Sequence, residues 1–397
     1  MAETLRIAVR KFAPFESAIV RQFEDFRSVC EADIALEVEA MDLNPLHEAV
    51  IGSGGLARGD YDIAFINTDW LAEAQAAGAL ENLLPHLERS PIPDFPQGWS
   101  PSLVELQHFA GGCWGMPYHD GPECLIFRRD LLEQAGIAVP TTWEDYHEAA
   151  RALHAPDEGR YGTVLALYPD GHNSFYDFCI QIWSRGGEVF DQAGRPLFTS
   201  AQAHDALDFI RGLACDERAI APGARDTDSV GSGLLFCEGK VGLMANWFGF
   251  AALGETMEGS AVKGLVDVAP LPAGPGGRSV SLNVFWLLVI GAGSPRKDLA
   301  WAFLRHCATP AMDKITMLEG AIGVRRSTWA DPEVNAQVPY CHRLDWLHEH
   351  ARQLPLLPQL AAISHVVDDL LTDAVTGDKP TAMLLSAAQA KAMELLA

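Results

Sequence analysis

The feature that most constrains this chain is a short apolar run followed at once by a helical pattern, because the unit recurs. Residues 5–10 (LRIAVR) alternate apolar and polar side chains, and Ile19, Phe23 and Phe26 follow at helical spacing. The unit returns at Tyr61, where YDIAFIN reads as a strand and TDWLAEAQAAGAL as an alanine-rich helix with Thr68 as its N-cap. Strands that lead into crossover helices predict parallel α/β architecture.

The same reading extends to the end of the chain. CLIF, at residues 124–127, is a further strand candidate, and Thr141 and Thr142 each stand three residues before an acid, a capping-box start to a helix. KVGLMAN from Lys240 and VKGLVDVAPLP from Val262 read as strands separated by the aromatic segment WFGF, with PAGPGG after them as a turn. WLLVIGAG is the last apolar strand. Ser294 and Pro295 then supply an N-cap and a first-turn proline for a helix with Leu299, Ala302, Phe303 and Cys307 on one face, and from Thr309 the chain reads as helical with proline breaks. At 397 residues it exceeds what one core usually holds, so two domains are expected. No long linker separates them, so they are expected to interleave in sequence.

Composition narrows the function. The formal charge of −24 repels phosphate backbones, which argues against nucleic acid as a partner. The longest apolar stretch, residues 285–293, is strand-sized and too short to span a membrane. The opening MAETLRIAVRKFAPF lacks a basic segment, an apolar stretch and a cleavage site, so the chain is either a periplasmic protein whose signal has been removed or a cytoplasmic one. Its eight cysteines include no CxxC pair and read mostly as buried small hydrophobes, with a Cys113–Cys124 disulfide left open for an exported protein. No phosphate loop, GxSxG elbow or HExxH helix is present. Cys341, His342, His348 and His350 are metal-ligand types expected on different helix faces, so no metal and no other cofactor is expected.

Six strings carry a resemblance: YDIAFINTDWLAEAQAAGALENL, GMPYHDGPECLIFRRDLLEQAGIAVPTTWEDY, FCEGKVGLMANWFGFA, VAPLPAGPGG, GAGSPRKDLAWAFLRHCATP and GAIGVRRS. In this order the chain resembles, nearly end to end, the extracellular solute-binding proteins of ATP-driven sugar importers, the group that includes maltose-binding protein. The resemblance implies an α/β, two-lobed periplasmic-binding-protein fold of type II. Its lobes would be residues 1–117 plus 269–322 and residues 121–265 plus 325–397, with hinge crossings near 117–120, 266–270 and 320–325. It also implies a monomeric, non-enzymatic component of an ABC importer. Such a protein closes on a sugar, oligosaccharide, polyol or anionic sugar and delivers it to a permease in the membrane.

A sugar presents hydroxyls at its rim and C–H bonds on its faces, so its site combines carboxylates and amides with stacked aromatics. In open α/β sheets ligands sit beyond the carboxyl ends of strands. By resemblance Asp69 bonds sugar hydroxyls, although the helix dipole also favours an acid there. Trp70 either stacks on a ring or packs beneath its loop. His119 and Asp120 lie at the first crossing, where Asp120 is the cleft-facing acid or a hinge-surface group. Pro122 stands where the maltose-binding pattern has a glutamate, so maltose-type recognition is not implied. Trp247 matches the stacking tryptophan, against the alternative of a core aromatic, because three aromatics within four residues cannot all face a ligand. Tyr176 matches a second stacking position, and Asn283 either donates to a hydroxyl or finishes a turn. Arg325 and Arg326 lie at the cleft edge, where an arginine is a ligand clamp or a lobe-closing or surface charge; with Arg10, Lys11 and His119 this leaves open a uronate or sulfosugar. Two further classes stay open: a cytosolic enzyme acting on a sugar or small acid, and a ligand-sensing protein that docks on another protein.

Overall fold

In the computed structural model, which describes residues 3–30 and 33–397, the chain forms two compact units, each assembled from separate stretches of sequence. The first unit comprises residues up to 121 with 284–345 and 356–358; the second comprises 122–283, 346–355 and 359–397. The principal strands are β1 (Glu3–Arg10), β2 (Ile34–Met41), β3 (Ile63–Asn67), β4 (Met116–His119), β5 (Glu123–Arg128), β6 (Leu243–Trp247), β7 (Val266–Ala269) and β8 (Trp286–Ile290).

The first unit is built on a sheet of order β2-β1-β3-β8-β4, in which β1 runs parallel to β2 and β3 while β8 is antiparallel to β3 and β4. Every residue of β3 is buried, as expected of a central strand covered on both faces. The helix Ala13–Val29 buries Ile19, Phe23 and Phe26, the stripe legible in sequence, together with Phe15. Phe23 and Phe26 meet Phe303 of the helix Lys297–Cys307 at 5.6 and 5.3 Å between ring centres. Thr68 does not cap a helix. Asn67 precedes the 3₁₀ turn Thr68–Trp70, and the Thr68 hydroxyl accepts the Phe285 N–H at 3.2 Å, which ties the end of β3 to the chain entering β8.

The second unit holds a three-stranded sheet of order β6-β5-β7 that is antiparallel throughout, so the parallel expectation holds for part of the first unit and, in the second, for the short pair Ser281–Leu282 and Ala351–Arg352. Strand patterning reports burial, not direction; direction depends on which end of the sheet the connecting helices return to. The helix Trp143–Leu153 starts at Thr142, whose hydroxyl accepts the Asp145 N–H at 3.1 Å while the Asp145 carboxylate accepts the Thr142 N–H at 3.3 Å.

The chain passes between units at 121/122, 283/284 and 345/346, with a short return at 356–358. Two of the expected crossings lie elsewhere. β7, at the site of the second, completes the β5 sheet. Residues 320–325, the third, belong to the first unit, where the buried Asp313 carboxylate accepts the N–H groups of Val324 at 2.8 Å and Arg325 at 3.1 Å. All eight cysteines are free, so the disulfide left open by the sequence is not formed; Cys113 belongs to the first unit and Cys124 to the second. Among the described residues no helix is long and apolar enough to cross a membrane.

Candidate functional site

In the first unit the carboxyl ends of β3 and β4 flank the amino end of β8, with Trp286 in register with Asn67 on one side and His119 on the other. This is the strand-end position where α/β sheets bind ligands. Asn67, Asp69 and Asp120 are buried there. The Asp120 N–H donates to the Ile322 carbonyl at 3.2 Å, and the Ile322 N–H donates to His119 Nδ1 at 2.8 Å. An Nδ1 that accepts belongs to a neutral ring, and burial pushes the His119 pKa down to about 4. His119 therefore brings no positive charge at neutral pH.

Trp70 is only 5% exposed and sits edge-on between His47 at 5.0 Å and Trp286 at 5.8 Å. It is the packed tryptophan beneath the loop. The ring left half-buried at this strand end is Trp286, which sequence reasoning missed. WLLVI marked the strand, but the exposure of a strand's first residue depends on its lateral neighbours, and these come from β3 and β4.

Arg325 is a correction. Its side chain is 1% exposed inside the first unit, the guanidinium lies 4.2 Å over the Trp99 ring, Nη1 donates to the Ala308 carbonyl at 2.6 Å, and Nη2 pairs with Asp94. Packed and paired in this way, it is not presented to a ligand. Arg10 and Arg326 pair with Asp42 at 3.1 Å and Asp345 at 3.2 Å. Of the basic groups named for an anionic ligand, Lys11 is exposed, His119 is neutral and the arginines are engaged.

In the second unit β6 ends in Trp247, and of the three neighbouring aromatics Phe248 and Phe250 are buried while Trp247 is half-buried. Its indole N–H donates to Asn173 Oδ1 at 2.9 Å, and its backbone N–H to Asn246 Oδ1 at 2.8 Å. Asn246 in turn donates to Ser232 Oγ at 2.9 Å, which anchors the strand end to the helix Ser229–Cys237. Tyr176 is fully buried and stands edge-on to Trp247, with ring centres 5.8 Å apart at 87°. The Tyr176 hydroxyl pairs with His172 Nδ1 at 2.9 Å, and the His172 ring lies 6.4 Å from Trp247. Because its N–H is already bonded, Trp247 offers a ring face and no donor. Asn283 is buried, and its N–H donates to the Arg352 carbonyl at 2.7 Å beside the strand pair Ser281–Leu282 and Ala351–Arg352.

The structure thus gathers Asp69, Trp70, His119 and Asp120 in one unit and Tyr176 and Trp247 in the other, and adds Asn67, Trp286, Asn173 and His172. No motif marked those four. Asn173 and His172 gain their role from a helix start that only the folded unit brings to Trp247. Among the described residues no cluster of His, Cys, Asp and Glu side chains has an arrangement for a metal ion.

Comparison with known proteins places these observations. The family model of the bacterial extracellular solute-binding proteins matches residues 26–314. The mannitol-binding protein of Pseudomonas aeruginosa is 25% identical, over 90% of this chain and 85% of its own. A solute-binding protein from Agrobacterium radiobacter, solved in complex with ribitol, superposes with a TM-score of 0.90 at 24% identity, covering 99% of this chain and 98% of that one. The maltose-bound MalE3 of T. maritima superposes at 0.89 with 23% identity, covering 99% and 100%. These likenesses show the α/β fold of the type II binding proteins.

Proposed function

We propose, since this chain belongs to the family of bacterial extracellular solute-binding proteins, that it is the solute-binding component of an ABC importer and that its ligand is a neutral polyol or sugar. The observation that carries this reading is Trp247, a half-buried ring at a strand end with its N–H already bonded, whose remaining chemistry is to lie against C–H bonds. Asn67, Asp69, Asp120 and Asn283 then hold hydroxyls, Trp286 supplies a second ring face, and Trp70 and Tyr176 back the two half-buried rings.

Neutrality follows from charge. The arginines considered for an anionic clamp are paired and His119 is uncharged, so a carboxylate or sulfate would find little positive charge ready for it. The mannitol-binding relative and the ribitol and maltose complexes point to the same chemistry. In this reading the ligand's contacts with both units favour a closed state, and the ligand passes unchanged to a permease. The protein acts outside the cytoplasmic membrane as a monomer.

A thermal-shift panel of mannitol, ribitol, glucitol, maltose and glucuronate tests the ligand class, because a compound that binds only the folded state raises its melting temperature. A rise with a neutral polyol or sugar is expected, and a rise with glucuronate alone overturns the reading. Recovery of the bound compound unchanged separates transport from the enzyme alternative. Solution scattering tests closure, and an unaltered radius of gyration with ligand would end that part of the proposal.

A further inference from the structure

Asn173, which holds the Trp247 indole, is bracketed by two residues that bond one distant carboxylate. The Gly171 N–H donates to Asp368 Oδ2 at 2.6 Å, and the Ser174 hydroxyl donates to Asp368 Oδ1. Asp368 stands 197 and 194 residues further along the chain than these two donors, on the helix Leu360–Thr376 of the same unit, and is 3% exposed. A carboxylate is buried without heavy cost only where donors meet it. Its remaining donor is His365 Nδ1, at 3.3 Å and one turn earlier on its own helix, and that bond foremost holds the His365 pKa above the ordinary histidine value.

The helix Asn173–Ser184 has His172 at its N-cap position, and His172 makes no side-chain cap bond. A negative group at the amino end of a helix is favoured by the helix dipole, and here Asp368 brings it from a distant part of the chain. The turn and the second helix fit closely. Gly171 has a φ of 76°, in the left-handed region, and a Cβ there would lie 2.7 Å from the His365 ring.

The same turn carries the groups that surround Trp247. Asn173 Oδ1 accepts the indole N–H at 2.9 Å, and the His172 ring lies 6.4 Å from the indole. His172 in turn pairs with the hydroxyl of Tyr176, which stands edge-on to Trp247. On its other side Trp247 is tied through Asn246 to Ser232, on the neighbouring helix Ser229–Cys237. Holding residues 171 and 174 therefore fixes the one anchor of the indole N–H.

We propose that Asp368 is a positioning residue for Trp247: by bonding Gly171 and Ser174 on either side of Asn173, it sets the orientation of the ring that the second unit presents. The consequence for ligand affinity rests on the proposed role of Trp247; the consequence for the ring does not, so it is read without ligand.

The indole ¹⁵N–¹H resonance of Trp247, assigned by Trp247→Phe, is followed in the ligand-free full chain. Asp368→Asn leaves one acceptor oxygen where the aspartate has two, so Gly171 and Ser174 cannot both donate as before. The Trp247 resonance is expected to shift, and the Gly171 amide proton to move upfield as its charge-assisted bond weakens. Ser174→Ala should displace the indole resonance in the same direction by less. Leu370→Ala, on the same helix but facing the groove toward the helix Thr381–Leu395, should leave it in place. With mannitol as the probe, Asp368→Asn is expected to weaken binding about threefold to tenfold.

A Trp247 resonance unmoved by Asp368→Asn overturns the proposal, as does an equal shift in Leu370→Ala, which would mean a general loosening of the helix. If Asp368→Asn does not fold, Ser174→Ala decides, and a still resonance is then the overturning result. A shifted indole in a protein that binds no polyol or sugar would sustain this inference while removing the ligand assignment.

Discussion

The two units differ at a few buried charges. In the first, Arg325 is paired with Asp94 and laid over Trp99, Asp62 is flanked by Arg6 and Arg296, and the acid at 313 is bonded by backbone N–H groups. In the second, the Glu123 carboxyl is fully buried, and burial first, with the charge of Asp177 second, pushes it well above the usual carboxylate range. A buried charge met by fixed donors makes a rigid frame, whereas a buried carboxyl without them favours its neutral form. The first unit therefore offers strand-end polar groups in a frame of paired charges, and the second a ring held by the Asn173 and Asn246 side chains.

The contrast breaks most readily at Trp70. Trp70→Ala leaves a cavity behind Trp286 and should cost about 3–5 kcal/mol of folding free energy, read by urea denaturation. A loss below about 1 kcal/mol would mean that the first unit is not packed as described. Arg325→Leu should cost about 2–3 kcal/mol, because the Ala308 carbonyl and Asp94 lose their donor, while the dissociation constant of the folded protein stays unchanged. An altered affinity at unaltered stability would return Arg325 to the ligand. Trp247→Ala should do the reverse, weakening binding at least about tenfold, with Trp286→Ala of similar size. If only one of the two matters, calorimetry will show which unit dominates recognition.

The smallest expected effects are in pH. His119 is neutral when folded, with a pKa near 4 against about 6.5 unfolded, so the unfolded chain takes up the extra proton first. Stability should decline as pH falls below about 6.5 toward 4, and His119→Gln should flatten that limb of the melting-temperature profile. For Glu123 and Asp177 the sign is opposite. Their folded pKa values are raised, so stability is highest below the ordinary carboxylate range and declines as pH rises through the raised values. Asp177→Asn should flatten the alkaline limb and leave the acid limb as it was.

Much of the framework was legible because burial writes itself into short-range pattern. The stripe of Phe23 and Phe26, the wholly apolar core of β3 and the Thr142 capping box each follow from residues within one element. Trp247 was singled out by resemblance, and the structure leaves it half-buried while Phe248 and Phe250 are buried. Thr68, Arg325 and the second and third crossings were misread for a common reason: their partners, Phe285, Asp94 with Trp99, and the β5 edge, are distant in sequence. Trp286 was overlooked because its exposure is decided by Asn67 and His119 on either side of it.

Periodicity, chain length and the lack of a long linker pointed to strands and helices divided into two units that interleave in sequence. Tertiary structure decided which of those residues are presented and which are spent: Arg325 on Asp94 and Trp99, Trp70 beneath Trp286, and the Trp247 N–H on Asn173. The reason is physical. An element's apolar pattern is set by residues a few positions apart, whereas the availability of a polar or aromatic group depends on every neighbour that competes for its hydrogen bonds and surface.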